Sequence, residues 1–406
     1  MRRAVLVGLC LLVGLAVGLG GALALGDDTD PTSTDSAAPS TTVSSTTARP
    51  PATTGPPPTT APGPPPPSVL LAWTAGGLPS GFGDALGVLP AVVDEAVVRG
   101  DLRGLIETDD GRGNTVDRVE PGWEIPFDVL ALDPAQFGSF VTAPVRRVLR
   151  RLGPDEVVLS ETSAGLRRLE VGGRIHLESG PSLRVVGIVP DVSVAGAEAV
   201  VTPSTGAAIG VTTERYVLLH HRGRRAPVDD AIRMLAGEPV RTRAGGETPF
   251  LRHADGVLPQ ALIKAQFGEF SYRDTGPGPV TLDPAWVAAN IVQTDLPVLG
   301  PTTCHRTLLP ALQGALRDLV AANLAHLVAS FEGCYNARTI TGSTQLSRHA
   351  WGAAVDLNFS SNPTGVGSMQ DARLVDIFER WGFGSGDFWL VPDSGHFEYI
   401  APPSPG

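Results

Sequence analysis

Two histidines and two aspartates near the C-terminus carry the chemistry that this sequence can be expected to perform. His349 and Asp356 lie seven residues apart, and Asp393 and His396 follow about forty residues later. Two imidazoles and one carboxylate can hold a zinc ion and leave its fourth position open for water. A second carboxylate close by can take a proton from that water. These four residues are the smallest set of side chains that a zinc hydrolase needs.

The spacing between His349 and Asp356 requires a change of direction in the backbone. On one continuous strand, positions an odd number apart face opposite ways, so the two side chains could not share a metal. Gly352 allows a turn after His349. The sequence therefore predicts a turn at Gly352 and a strand that starts near Ala353 and carries Asp356.

The last motif predicts a turn followed by a strand. His396 and Glu398 share one face of that strand, and Glu398 is expected to support a ligand and not to be one. Asp393 precedes the strand and can lean over the metal without binding it. Because Pro-Asp-Ser-Gly is also ordinary turn chemistry, a purely structural role for Asp393 stays open.

The segment from about Leu262 to Tyr399 resembles the VanY-type zinc peptidases. These are D-alanyl-D-alanine carboxypeptidases, with a branch of L-alanyl-D-glutamate endopeptidases. The resemblance rests on H-x-x-G-x-A-x-D over His349–Asp356 and on D-x-x-H-F-E over Asp393–Glu398. It implies a small antiparallel sheet with helices, as in hedgehog- and VanY-like domains, and a peptidoglycan peptide as substrate.

The same resemblance implies a role for each of five residues. His349, Asp356 and His396 would ligate Zn²⁺, Asp393 would be the general acid and base, and Arg338 would stabilise the developing oxyanion. Surface ion pairing is the alternative for Arg338, and a structural role is the alternative for each ligand.

One stretch departs from the family pattern. Members often carry Trp-Gly-Gly-x-Trp before the last motif, whereas this chain has a longer stretch from Trp381 to Trp389. The change alters a wall of the cleft and leaves substrate preference open. Trp351 and Trp389 could line that cleft or fill the core.

The composition of the whole chain limits the other classes of function. The 406 residues predict more than one domain. A net charge of −11 argues against a nucleic-acid partner, which needs a basic face. Nearly all the positive charge is arginine, and Lys264 is the only lysine.

The N-terminus predicts export. Arg2 and Arg3 precede an unbroken apolar run over Ala4–Leu25. The small residues Ala22-Leu-Ala24 favour a signal peptide over residues 1–26, whereas the length of the run also allows an uncleaved anchor that binds the membrane. Both interpretations place the protein outside the cytoplasm, secreted or anchored at the cell envelope.

Residues 27–67 are predicted to be a disordered spacer. They are rich in Pro, Thr and Ser and have almost no large apolar side chains. Such a segment cannot bury enough surface to offset the entropy lost on ordering.

Cys304 and Cys334 are expected to form a disulfide, because an exported chain meets an oxidising compartment. The alternative is that Cys304 and His305 bind a metal ion. An apolar stripe at helical spacing predicts a helix over about 310–330, broken only at Asn323.

The middle segment, residues 68–237, is predicted to be a separate α+β domain without a catalytic cluster. Predicted strands are Glu156–Ser160, Arg174–Leu177, Leu183–Val189, Ala199–Thr202 and Tyr216–Leu219, and predicted helices are Ser163–Leu169 and Val228–Leu235. From roughly Pro144 to Val201 it resembles the extracytoplasmic core domain of MacB- and FtsX-like permeases. Transport is not implied, but a protein partner for this domain is possible.

The predicted organisation is therefore two folded α+β domains behind an N-terminal apolar helix and a spacer. Residues 238–257 are expected to link the middle segment to the C-terminal segment, residues 258–406. The expected function is a zinc metallopeptidase that cleaves peptidoglycan stem peptides, as a carboxypeptidase or an endopeptidase. The alternative is a non-catalytic cell-wall-binding or membrane scaffolding protein that retains the peptidase fold.

Overall fold

The computed structural model describes residues 68–245, 258–273, 276, 278–341 and 343–402. The predicted apolar N-terminal helix and the Pro/Thr/Ser spacer lie outside these residues. Within the described ranges, every helix is too short or too polar to cross a membrane. Gly63–Gly406 forms one compact unit.

The middle segment, extended by one strand beyond residue 237, is built on one mixed sheet. Its strands are β1 (Ser68–Trp73), β2 (Val92–Asp109), β3 (Thr115–Arg118), β4 (Ile125–Leu132), β5 (Glu156–Ser160), β6 (Arg174–Leu177), β7 (Leu183–Val189), β8 (Ala199–Val201), β9 (Glu214–His221) and β10 (Arg241–Ala244). They follow the order β10-β1-β9-β2-β4-β8-β5-β7-β6, and β3 pairs with β2. The helices are α1 (Phe82–Gly87), α2 (Pro134–Phe137), α3 (Ala143–Leu149), α4 (Glu161–Arg167), α5 (Pro203–Ala208) and α6 (Arg225–Ala236).

The sheet explains the hydrophobic patterns of its strands. β4 is buried along its whole length, as expected for a central strand covered on both faces. β2 instead alternates between buried and half-buried positions along much of its length, which is the pattern of a strand with one covered face. The strands predicted at β5, β6 and β7 are confirmed to the residue, and those at β8 and β9 are confirmed within a few residues.

The C-terminal segment folds into helices packed against a small antiparallel sheet. Its helices are α7 (Gln260–Phe267), α8 (Pro284–Asn290), α9 (Leu309–Ala321) and α10 (Ala372–Arg380). Its strands are β11 (Tyr272–Arg273), β12 (Thr281–Leu282), β13 (Ile291–Leu296), β14 (Gly300–His305), β15 (Phe331–Gly333), β16 (Ala354–Leu357), β17 (Phe383–Gly386) and β18 (Asp393–Tyr399). Four of them form the sheet β15-β16-β18-β17. The predicted α+β class is confirmed.

Helix α9 is shorter than the sequence predicted. It ends at Ala321, because Asn323 adopts a left-handed conformation with φ of 57°. Asparagine tolerates this conformation better than most residues. A short 3₁₀ helix, Ala325–Leu327, then continues the apolar stripe.

A buried ion cluster joins the middle segment to α7. The Nζ atom of Lys264 lies 3.0 Å from Glu198 and 2.9 Å from Glu269. Arg167 Nη2 lies 2.9 Å and 2.7 Å from the same two carboxylates. Gln260 donates a further hydrogen bond of 3.1 Å to Glu198. Two cations thus compensate two anions, which is the arrangement that buried charges need.

Candidate metal centre

The first motif forms a tight turn that ends at a glycine. Arg348–Trp351 is a 3₁₀ helix, and the hydroxyl of Ser347 caps it by accepting a hydrogen bond of 3.3 Å from the amide of His349. Gly352 then takes a left-handed conformation with φ of 62°. The predicted turn is confirmed, and β16 begins two residues later, at Ala354.

Gly352 has no room for a side chain. A Cβ atom at this position would lie 2.7 Å from the backbone nitrogen of His305, and the positive φ adds strain for any other residue. We expect Gly352→Ala to destabilise the fold by roughly 2–4 kcal/mol, since it combines this conformational strain with overpacking. Urea unfolding measures the loss. Gly367→Ala, where the added Cβ meets nothing within 4 Å, is the matched control; equal midpoints for the two variants would contradict the expectation.

The second motif pairs directly with the first. Asp356 on β16 lies opposite His396 on β18 in antiparallel register. The pairing of β18 with β17 shifts between Ser385 and Gly386, so that β18 has three more residues than its partner at this point. This irregularity lies immediately after Asp393, which is already the first residue of β18 and does not precede it.

The side chains of three potential ligand residues, His349, Asp356 and His396, converge at one point. His349 Nε2 lies 3.2 Å from His396 Nδ1 and 3.1 Å from Asp356 Oδ2. His396 Nδ1 lies 3.0 Å from Asp356 Oδ1. Bonds of about 2.0–2.1 Å at tetrahedral angles would place zinc ligands about 3.3 Å apart. The distance between the two imidazole nitrogens matches that spacing, and the Asp356 carboxylate offers an oxygen beside each of them, so the donor set fits a tetrahedral zinc ion with one open position.

The outward nitrogen of each imidazole also has a partner. His349 Nδ1 lies 2.7 Å from the carbonyl oxygen of Cys334, and His396 Nε2 lies 3.4 Å from Glu398 Oε2. Such outer hydrogen bonds fix ring orientation and tautomer in metal sites. They leave Nε2 of His349 and Nδ1 of His396 facing the carboxylate of Asp356, and Glu398 contacts His396 from the other side of the ring.

The Cys304–Cys334 disulfide fixes the carbonyl group that orients His349. The bridge is present, which confirms the pairing and excludes Cys304 as a metal ligand. The backbone after Cys334 runs beside the first motif, because Asn336 N donates to His349 O at 2.9 Å. Sequence reasoning missed this contribution of Cys334.

Charge interactions link the three residues of the site. Burial opposes ionisation of Asp356, but hydrogen bonds from His349 and His396 outweigh it and keep the pKa of Asp356 well below its usual range. Burial also opposes protonation of His396, yet the hydrogen bonds that its ring donates to Asp356 and Glu398 raise its pKa to about 10. A site that stabilises a proton beside two carboxylates is electrostatically suited to a divalent cation.

Asp393 lies outside the group of three ligands. The ligand atoms of His349, Asp356 and His396 all lie within 4.8 Å of one another, and Asp393 is not part of that group. Its Oδ1 accepts a hydrogen bond of 2.8 Å from the hydroxyl of Thr364. Thr364 thus holds one oxygen of a half-buried carboxylate.

Arg338 is half-buried beside the first motif. Its backbone oxygen accepts a hydrogen bond of 3.0 Å from the amide of Ser347. Its guanidinium donates to the carbonyl oxygen of Thr339 at 3.2 Å. The backbone of Arg338 is thus tied to the cap of the turn that carries His349, and the role of its side chain stays a prediction.

The sequence left open whether Trp351 and Trp389 line the cleft or fill the core, and the structure gives the two residues different surroundings. Trp351 is fully buried and contacts Phe270 with ring centroids 4.7 Å apart, so it belongs to the core. Trp389 is half-buried, and its ring lies 5.2 Å from that of His396.

Part of the C-terminal segment matches a known protein family. Residues 341–399 match the family model described as D-alanyl-D-alanine carboxypeptidase. The match contains His349, Asp356, Asp393 and His396, and it confirms the resemblance inferred from the sequence. This part of the chain is therefore similar to D-alanyl-D-alanine carboxypeptidases. No curated protein matches the chain.

Two solved structures show weak similarity to part of the chain. The periplasmic region of MacB from Actinobacillus actinomycetemcomitans aligns at 11% identity with a TM-score of 0.31, covering 43% of this chain and 88% of that one. The extracellular domain of the noncanonic ABC-type transporter YknZ from Gram-positive bacteria aligns at 9% identity with a TM-score of 0.28, covering 44% and 98%.

Proposed function

We propose that this protein is a zinc metallopeptidase that hydrolyses peptidoglycan stem peptides. The observation that carries the proposal is the convergence of His349, Asp356 and His396: the two imidazole nitrogens lie 3.2 Å apart, and each lies 3.0–3.1 Å from one oxygen of the Asp356 carboxylate. The family match over residues 341–399 supports the reaction and the substrate class. We assign the activity to residues 258–406 and treat the middle segment as a second domain.

His349, Asp356 and His396 would hold the zinc ion, which supplies Lewis-acid activation of a water molecule and of the substrate carbonyl group. Asp393 accepts the proton of the attacking water and returns it to the leaving amine, so that one carboxylate serves both halves of the reaction. The hydrogen bond from Thr364 holds this carboxylate in place. Arg338 is assigned to the negative charge that develops on the carbonyl oxygen.

We propose an extracytoplasmic location for this reaction. The apolar run at the N-terminus predicts export to the cell envelope, with or without a membrane anchor. A disulfide beside the metal centre suits an oxidising compartment. The peptidoglycan substrate lies in the same compartment.

Digestion of purified sacculi tests the function directly. The zinc-loaded full-length chain should release peptides whose masses identify the cleaved bond. A chelator should abolish release and added Zn²⁺ should restore it, because the proposed chemistry needs the metal. His396→Ala, which removes a ligand, is the inactive control. Binding to sacculi without any change in muropeptide masses would instead favour the non-catalytic binding protein.

A further inference from the structure

One loop connects the metal centre to the middle segment. The loop of residues 387–392 joins β17 to β18 and leads directly into Asp393. Trp389 in this loop contacts His396, with ring centroids 5.2 Å apart and planes tilted by 53°. The indole nitrogen of Trp389 is buried and has no hydrogen-bond partner among the described residues. Packing of the loop therefore sets the position of this ring.

The outer side of the loop is anchored on the middle segment and its added strand. Leu390, next to Trp389, packs against a buried apolar cluster of the middle segment that includes Leu71, Leu130 and Leu218. On the other side of Trp389, the carbonyl oxygen of Phe388 accepts a hydrogen bond of 2.8 Å from Arg241 on β10. Phe388 and Leu390, the residues on either side of Trp389, thus contact the middle segment and its added strand β10, which contribute no ligand to the metal centre.

The inner end of the loop is tied to the site. Gly365 N donates to Pro392 O at 2.6 Å, and the neighbouring Thr364 holds the carboxylate of Asp393. A shift of the loop would move Trp389 and the start of β18 together. The buried ion cluster around Lys264 holds the middle segment against the C-terminal segment. The surface that Leu390 and Phe388 contact is therefore fixed relative to the metal centre.

We propose that Leu390 is a positioning residue through which the middle segment holds the 387–392 loop against the metal centre. This inference rests on the proposed peptidase function for its catalytic consequence. It gives the middle segment a role within the same chain: it sets the position of Trp389 against His396 and of Asp393 at the start of β18. No external partner is needed for that role.

Fluorescence of Trp389 tests the contact independently of activity. The chain has six tryptophans, so the emission of Trp389 is obtained by subtracting the spectrum of the matching Trp389→Phe chain. In the full-length Leu390→Ala chain, this emission should shift to longer wavelength and acrylamide should quench it more strongly, because the loop loses its apolar anchor. Leu390→Met, which conserves volume, should restore the parent signal.

Kinetics on the same zinc-loaded chains test the consequence. Leu390→Ala should lower kcat/KM roughly 10- to 100-fold through misplacement of the loop, with the zinc content unchanged. Leu235→Ala, an equal truncation of a partly exposed leucine on α6, should leave both readouts at parent values. Unchanged Trp389 emission in Leu390→Ala overturns the proposal, as does a shifted emission with parental kcat/KM. If the parent chain shows no hydrolysis, the peptidase function fails, and the emission alone decides the contact.

Discussion

The Asp393→Asn chain should keep its zinc and lose nearly all hydrolysis. Asparagine has the shape of aspartate and can still accept the hydrogen bond that Thr364 donates, but its amide cannot take a proton from water. General acid–base groups contribute about 10²–10⁴-fold to rate, so kcat should fall by roughly 10³-fold. Zinc content measured by mass spectrometry, together with kcat on a stem peptide, checks the expectation.

Two further variants make the test of Asp393 specific. His396→Ala should lose both zinc and activity, because it removes one of three ligands. Asp371→Asn should change neither, since Asp371 caps α10 and pairs with the largely exposed Arg373, and asparagine caps helices equally well. Full activity in Asp393→Asn would refute the role assigned to Asp393 and would leave it with a purely structural role at the start of β18.

The Lys264→Met chain should be the least stable of the single variants proposed here. Lys264 is fully buried and faces Glu198 and Glu269, and Arg167 alone would then face two carboxylates. Removing one partner of a buried ion pair typically costs about 3–5 kcal/mol, because a charge is left uncompensated. The midpoint of urea unfolding should fall accordingly.

A second substitution distinguishes uncompensated charge from lost packing. Adding Glu269→Gln to Lys264→Met removes one unpaired carboxylate and should recover part of the loss. Arg233→Met breaks a pair with Asp230 in which both side chains are largely exposed, and it should have little effect. If the double variant is no more stable than Lys264→Met, the ion cluster is not the source of the loss.

The same cluster gives stability a defined pH dependence. Burial opposes ionisation of Glu269, but Lys264 and Arg167 outweigh it and lower the pKa of Glu269. Because the pKa of Glu269 is lower in the folded state, the ion pairs of Glu269 contribute fully to the stability of the fold above the ordinary glutamate pKa. This contribution is lost as the pH falls through the lower value of the folded state.

The sequence alone identified the three residues that converge, because their types and spacing are local information. The turn at Gly352 followed from the odd spacing between His349 and Asp356, and the disulfide followed from an even pair of cysteines in an exported chain. The carbonyl of Cys334 could not be predicted, since it reaches His349 only after the bridge to Cys304 has brought distant segments together.

The remaining differences also have tertiary or conformational causes. Helix α9 ends at Ala321 because the backbone of Asn323 turns left-handed, and the apolar stripe hid this break by continuing into a 3₁₀ turn. Asp393 is part of β18 because β18 pairs irregularly with β17, which a turn motif does not encode. No role for Lys264 followed from the sequence, and only the fold, which brings Glu198 of the middle segment beside it, shows what it contacts.

The enclosure of Lys264 has a practical consequence for labelling. It is the only lysine in the chain, and its side chain has no exposed surface. Reagents that acylate amines therefore find no lysine target on the folded protein. Acylation at Lys264 would report that α7 has separated from the middle segment, so one native residue can serve as a chemical sensor of that opening.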